Sequence, residues 1–323
     1  MDPLTLDWVT VASRRMQRPV TDSAADCPFC PVPPGSSEAL RQASEAPRDD
    51  YDVAVFGNRF PAFGGPAELP SGQQRPGYRR APGAGAAEVV LYSPRHDDHL
   101  STMDPARVRL LVDVWAQRTV ELYQDPKVEY VFVFENRGAG IGQTIDHPHG
   151  QIYAYPFVPS RIGREVGVFS EHRSSQGTCL QCIIAEREAA DGRRMVDQGG
   201  GWRAFVPFAP RFPFELHLVP EVHRGWLPDL SRSERSGLAD LLQRTVLRYD
   251  RLVGREMEYM MCVYQRPQRC RPDNLWHLRV SFYPVRRGPD KLKFLAGSES
   301  GAGAFLTDAT PEDMAERLRA AGS

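Results

Sequence analysis

The chain states one order of landmarks twice, and this repetition limits its fold more than any single motif does. Residues 1–165 run "CPFC" (27–30), "FGNRFPAF" (56–63), "LYSPRHDDHL" (91–100), a helical stretch, "EYVFVFENRG" (129–138) and "HPHGQIYAYP" (147–156). Residues 166–323 run "CLQC" (179–182), "FAPRFPFE" (208–215), "LVPEVHRGWL" (218–227), a helical stretch, "EYMMCVYQRP" (258–267) and "HLRVSFYP" (277–284). Recurrence of both order and spacing implies a duplicated unit of roughly 130–150 residues. Each half must therefore build the same strand–helix–strand unit, so we expect two domains, 1–165 and 166–323.

Local signals assign elements to that unit. "DPARVRLLVDVWAQRTVELYQD" opens with Asp104 as N-cap and Pro105 at the first helical position. Leu110, Leu111, Val114, Trp115 and Leu122 give it an apolar face at helical spacing. In the second half, "SRSERSGLADLLQRTVLRYDRLV" opens with the capping box Ser231-x-x-Glu234. A last helix starts at Thr310 and Pro311. The runs "EVVLYS", "YVFVFEN", "QIYAYPF", "WRAFVPF", "ELHLVP", "YMMCVY" and "LRVSFYP" are rich in β-branched and aromatic residues and predict strands. Antiparallel returns around single long helices predict an α+β fold, a mostly antiparallel sheet with helices packed on one side. Segment 64–87 is rich in Gly, Pro and Ala and predicts a long surface loop.

Charge excludes one class of partner. Lys+Arg 40 against Asp+Glu 41 leaves a net charge of −1, so no global basic field recruits nucleic acid. Apolar runs never reach the roughly eighteen residues a membrane helix needs, and the N-terminus lacks the basic-then-apolar pattern of a signal peptide. We therefore expect a cytoplasmic protein without membrane contact. Four of the six cysteines form two C-x2-C pairs, which in such a setting imply metal ligation before disulfides. Cys27 and Cys30 need two further ligands for a closed tetrahedral zinc site. The candidates are His96, His99, His147 and His149, and the strand ends favour His96 and His147, which leaves His149 free. Cys179, Cys182, His223 and His277 repeat the order as a second expected metal set.

The remaining puzzle is "HPHGQ" (147–151). In an extended segment, residues i, i+2 and i+4 share a face, so His147, His149 and Gln151 would present three polar tips together. With these motifs assembled, the chain resembles the galactose-1-phosphate uridylyltransferase family of the histidine-triad superfamily over nearly its whole length. The resemblance runs through "DPLTLDWVTVASRRMQRP", "CPFC", "GNRFPAF", "SPRHDDHL", "FENRGAGIGQTIDHPHGQIYAYPF", "FVPFAPRFPFELHLVP" and "KLKFLAGSESGAGAF".

It implies tandem histidine-triad-like units, zinc, and a ping-pong exchange in which His149 attacks the α-phosphorus of UDP-glucose. Galactose 1-phosphate then takes the uridylyl group, so the expected partners are a UDP-sugar, a hexose 1-phosphate and a second copy in a homodimer. His147 would fix the loop carrying the nucleophile. Gln151 can donate to a phosphate oxygen but cannot shuttle a proton, which suits transfer to an acceptor that arrives ionised. By the same resemblance, Arg15 and Arg18 match phosphate- or nucleotide-contacting arginines, whose guanidinium forks suit phosphate oxygens. Asn58 and Phe60 match positions at the base, Asn136 and Thr144 positions at ribose and phosphates, and Lys293 and Glu299 the hexose-phosphate segment. The family often holds a second metal with a glutamate and three histidines. Glu165 fills the glutamate position, but Tyr264, His277, Arg279 and Ser281 do not supply that histidine set. Two other readings stand beside the uridylyltransferase. One is a related nucleotidyltransferase or phosphorylase with another sugar phosphate or a dinucleotide; the other is a zinc-stabilised nucleotide-sugar binding protein without turnover.

Overall fold

A computed structural model describes residues 1–12, 27–32, 44–46, 51–64 and 77–322. Arg15, Arg18 and the middle of the expected 64–87 loop lie outside the described residues. The first half supplies strands β1 (Ala54–Gly57), β2 (Ala86–Leu91), β3 (Tyr130–Arg137) and β4 (His149–Tyr155), with helix α1 (Pro105–Leu122) between β2 and β3. Two further helices follow, α2 (Ser160–Gln176) and α3 (Leu180–Asp191). The second half adds β5 (Met195–Gly199), β6 (Trp202–Phe205), β7 (Leu216–Pro220), α4 (Arg232–Val253), β8 (Tyr259–Tyr264) and β9 (Arg279–Pro284). The small β10 (Arg286–Gly288) and β11 (Lys291–Leu292) pair as a hairpin, and α5 (Gly297–Ala302) and α6 (Pro311–Ala320) close the chain.

All nine large strands join one antiparallel sheet in the order β1-β2-β4-β3-β8-β9-β7-β6-β5. The order β1-β2-β4-β3 mirrors β6-β7-β9-β8, and the two copies meet where β3 pairs with β8, Val133 opposite Val263 and Arg137 opposite Tyr259. Duplication thus became one continuous sheet. Such a seam lets each half cover the other's open edge strand.

Helix ends form where the caps predict. The Asp104 carboxylate accepts from Ala106 N–H at 2.7 Å. Ser231 and Glu234 exchange both capping-box bonds, and Thr310 Oγ1 accepts from Asp313 N–H at 3.2 Å. The apolar stripes of α1, α4 and α6 pack on one sheet face, where Val108, Leu111, Trp115, Leu238, Leu242, Val246 and Leu318 meet Val131, Ile152, Val263 and Phe282. Trp115 is fully buried; truncating such a residue to alanine costs about 3–5 kcal/mol.

The opposite face divides between the halves. Over the second half, α2 lays Ile162 and Phe169 against Trp276, Tyr264 and Tyr283, and α3 lays Ala185 against Phe205 and Val219. Sequence periodicity did not single out these two helices, because each buries few apolar residues. Over the first half, the same face carries His149, Gln151 and Tyr153. No helix among the described residues is long and apolar enough to cross a membrane.

Candidate active site and metal centres

The C-x2-C turn of the first half closes through a hydrogen bond from Cys30 N–H to Cys27 O. Cys30 Sγ lies 3.5 Å from His96 Nδ1 and 3.6 Å from His147 Nδ1. The ligand atoms of Cys27, Cys30, His96 and His147 all lie within 4.8 Å of one another. His147 Nε2 sits 2.8 Å from Ser93 O, which assigns its proton to Nε2 and leaves Nδ1 as a lone pair toward the thiols. Burial pushes His147 down to about 4, so the ring is neutral. Burial, followed by the adjacent Cys27, pushes the Cys30 thiol up to about 12. Two neighbouring thiolates repel unless a cation lies between them, so this donor set suits a divalent metal.

The second half repeats the geometry. Cys179 caps α3 and Cys182 stands in its first turn; hydrogen bonding, first with Cys182, holds the Cys179 thiol low, while Cys179 and then burial push the Cys182 thiol up. Cys182 Sγ lies 3.5 Å from His223 Nδ1 and 3.3 Å from His277 Nδ1, and again the four ligand atoms lie within 4.8 Å. His277 Nε2 faces Pro220 O at 3.2 Å, as His147 faces Ser93.

His149 begins β4, two residues after the first-half ligand. Its Nδ1 lies 2.7 Å from His147 O, so Nδ1–H donates to that carbonyl and Nε2 keeps its lone pair. Phe29, inside the C-x2-C turn, packs edge-on against His149 at 5.1 Å and His147 at 6.2 Å between ring centroids. The C-x2-C turn therefore braces an imidazole outside the Cys/His cluster it belongs to. Gly150 lacks a side chain because a Cβ there would overlap the Tyr92 hydroxyl.

A cleft beside His149 is lined by Phe29, Glu45, Asn58, Phe60, Val89, Thr144, Ile145 and Gln151. Five of the expected residues thus meet: His149, Gln151, Asn58, Phe60 and Thr144. The Gln151 side-chain oxygen is buried with no hydrogen-bond partner among the described residues; a buried amide in that state suits a ligand that completes it. Asn136, Lys293 and Glu299 line neither this cleft nor the one described next. Instead Lys293 Nζ lies 3.1 Å from Glu299 Oε1 and donates to Leu306 O at 2.6 Å, while Glu299 Oε2 accepts from Ala296 N–H.

A second cleft on His149 is lined by Tyr92, His99, Glu135, Arg137, Gln143, Asp146 and Glu256, among others. Sequence reasoning missed these charged residues. Glu135 accepts from Tyr259 Oη at 3.1 Å and Tyr92 Oη at 3.4 Å, and burial pushes it up to about 7. Arg137 pairs with Asp250 at 2.8 Å, and His99 with Glu256 at 2.9 Å. Their signal was strand alternation: Glu135 and Arg137 point opposite to Asn136.

Glu165 is bound up with arginines. Its carboxylate lies 3.0 Å from Arg279 Nη2 and 3.2 Å from Arg161 Nε, and they hold it below the usual carboxylate range despite burial. Arg279 also donates to Ser281 Oγ at 3.1 Å and stacks over Tyr264 at 4.6 Å.

Comparison with known proteins gives one family throughout. A family model described as galactose-1-phosphate uridyl transferase, N-terminal domain, matches residues 1–159, and its C-terminal domain counterpart matches 165–322. The chain is 34% identical to a galactose-1-phosphate uridylyltransferase of Thermotoga maritima, covering 98% of this chain and 96% of that one. It is 33% identical to the Streptomyces lividans enzyme of that name, over 98% and 85% respectively. An ADP-glucose phosphorylase of Arabidopsis thaliana is 27% identical over 98% of this chain and 91% of its own. Among solved structures, one titled as a uridylyltransferase superposes with TM-score 0.88 at 34% identity, covering 99% of this chain and 97% of that one.

Proposed function

Because the chain belongs to the galactose-1-phosphate uridylyltransferase family, we propose that it exchanges UMP between UDP-glucose and galactose 1-phosphate through a uridylyl-His149 intermediate. The observation that carries this reading is the state of His149. Its Nδ1–H is fixed on the His147 carbonyl, which makes Nε2 the ring's lone-pair nitrogen, beside a cleft lined by Gln151, Asn58, Phe60 and Thr144. In the first step Nε2 attacks the α-phosphorus; a P–N bond forms, the P–O bond to glucose 1-phosphate breaks, and that phosphate leaves with the electron pair. The ring becomes cationic, and the His147 carbonyl stabilises the charge through Nδ1–H. In the second step a phosphate oxygen of galactose 1-phosphate attacks phosphorus and His149 regains its lone pair. Neither step needs an added proton, which suits an amide rather than a third histidine at Gln151.

Zinc is the metal this reading assigns to the Cys27–Cys30–His96–His147 set and to the second set. Two thiolates and two imidazoles leave no open position, so the ion holds the turn in place rather than binding substrate. The reading also includes a cytoplasmic homodimer, for which exposed Leu4, Leu6, Val9, Val11, Phe294 and Leu295 offer apolar surface. Lys293 and Glu299 would then serve the hexose phosphate only after exchanging their mutual contact for the ligand.

That mutual pairing, with the phosphorylase among the relatives, supports a second reading: another nucleotide sugar as donor and another phosphate as acceptor. Intact-mass measurement separates the two. UDP-glucose should add a uridylyl group to the protein, and galactose 1-phosphate should remove it. Labelling by ADP-glucose alone, or discharge by inorganic phosphate alone, would replace the first reading with the second.

A further inference from the structure

The glycines of "RGAGIGQT" (137–144) mark a feature that the chemistry above does not use. Gly138 takes φ +103° and Gly142 φ +81°, conformations that favour glycine. Between them Ala139–Ile141 form one tight 3₁₀ turn. The loop they shape walls both clefts on His149, with Thr144 and Ile145 in one and Gln143 and Asp146 in the other. Within the loop, Gly138 N–H donates to the Gln143 side-chain oxygen, and Gln143 Nε2 donates to Ile145 O at 2.9 Å.

From the second half, Glu258 holds this loop. Its Oε1 accepts from Gly140 N–H at 2.9 Å. A Cβ at Gly138 would overlap the Glu258 side chain, and one at Gly140 would lie 3.0 Å from both carboxylate oxygens. The glycine spacing is thus the imprint of Glu258. Its Oε2 lies 2.8 Å from Arg286 Nη2, and Arg286 Nη1 donates to Pro289 O at 2.6 Å. The Glu258 carbonyl accepts from Val285 N–H, and the Val285 carbonyl from Lys293 N–H. One residue therefore joins the loop against His149 to the β10–β11 hairpin that leads to Lys293.

We propose that Glu258 is a positioning residue for nucleotidyl transfer, setting the height of the 138–146 loop against His149 and linking it to the Lys293 segment. The inference rests on the reading of His149 as nucleophile. An ionised acceptor makes the Gly140 bond stronger than a neutral one, and displacement of about 1 Å at a reacting centre can cost 10²-fold.

The test measures single-turnover formation of the His149 adduct from UDP-glucose, with metal content and thermal midpoint as checks of folding. Glu258→Ala should slow adduct formation by about 10–100-fold while metal content holds. Glu258→Gln keeps an oxygen for Gly140 N–H and should recover to within a few-fold of wild type. Gly140→Ala should slow the reaction in the Glu258 protein, and Glu258→Ala should then cost less in that background, because one clash removes what the other holds. If Glu258→Ala does not fold, Glu258→Gln and Gly140→Ala decide by the same rates. Wild-type rates in the alanine variant, or in Gly140→Ala should the former not fold, overturn the inference, as does additivity of the two substitutions. Absence of any adduct in wild type instead removes the nucleophile reading, and the inference with it.

Discussion

His147-Pro148-His149-Gly150-Gln151 and His277-Leu278-Arg279-Val280-Ser281 occupy equivalent places, at the start of β4 and of β9. Their first histidines do the same thing: each offers Nδ1 to a C-x2-C pair and turns Nε2 to a carbonyl after or at the end of the strand next door. Two residues on, they part. His149 stands beside two clefts. Arg279 is buried, paired with Glu165, bonded to Ser281 and stacked on Tyr264 under α2. Both copies therefore carry a Cys/His set able to hold a metal, while at the equivalent place two residues on, one copy borders clefts and the other is filled by an arginine. From the second copy, Asp250, Glu256, Glu258 and Tyr259 reach back to brace the first.

The largest expected effect breaks this comparison at its centre. His149→Ala should remove the adduct and lower exchange by roughly 10⁴-fold or more, as when the nucleophile of a covalent mechanism is lost. Arg279→Met, at the equivalent place, should still form the adduct at a rate near wild type. It should cost about 2–3 kcal/mol of stability, since Glu165 keeps Arg161 but loses its more buried partner. Adduct kinetics and denaturant unfolding read the two effects separately. Equal loss of adduct in both variants would mean that the second copy still takes part in chemistry.

The two metal sets should differ in consequence, not in kind. Cys27→Ser and Cys182→Ser should each lower bound metal by one ion per chain, read by elemental analysis, and each should lower the thermal midpoint. Cys27→Ser should also slow adduct formation by about 10-fold or more, because Phe29 in that turn packs on His149. Cys182→Ser should leave the rate within a few-fold. A comparable slowing by Cys182→Ser would show that the second half tunes the site through its metal.

Much of this is legible in the sequence, and the reason is the type of signal. Caps at Asp104, Ser231 and Thr310 are local bonds between neighbours, so sequence spacing carries them. The C-x2-C spacing marks the thiols locally, while their histidines, 66 and 117 positions from Cys30, are legible because they sit at strand ends in the same order in both halves. The His-Pro-His-Gly-Gln run carried the site. What escaped depends on distant strands. Glu258 meets Gly140 across 118 positions, and Tyr259 meets Glu135 across 124. Nothing local marks either pair. Short β1 and β5, and the weakly apolar α2 and α3, also gave too little periodicity to stand out.

The smallest expected effect sharpens the seam between the halves. Glu135 of β3 lies under the sheet between Tyr92 of the first half and Tyr259 of the second, and burial raises its pKa from 4.5 to about 7. A carboxyl raised on folding binds more protons folded than unfolded between those values. Its contribution to stability is therefore fully present below about 4.5 and is lost as pH climbs to about 7. Glutamine resembles the protonated form in shape and neutrality, with a carbonyl acceptor and an NH2 group in place of the O–H, and cannot ionise. Glu135→Gln should thus match wild type near pH 5 and gain on it toward pH 8, by a few °C in thermal midpoint. The comparison uses the difference between the two proteins at each pH, so titrations they share cancel. A constant difference from pH 5 to 8 would mean that Glu135 is already ionised throughout, with the two tyrosine hydroxyls supplying enough donation to hold the charge across the seam.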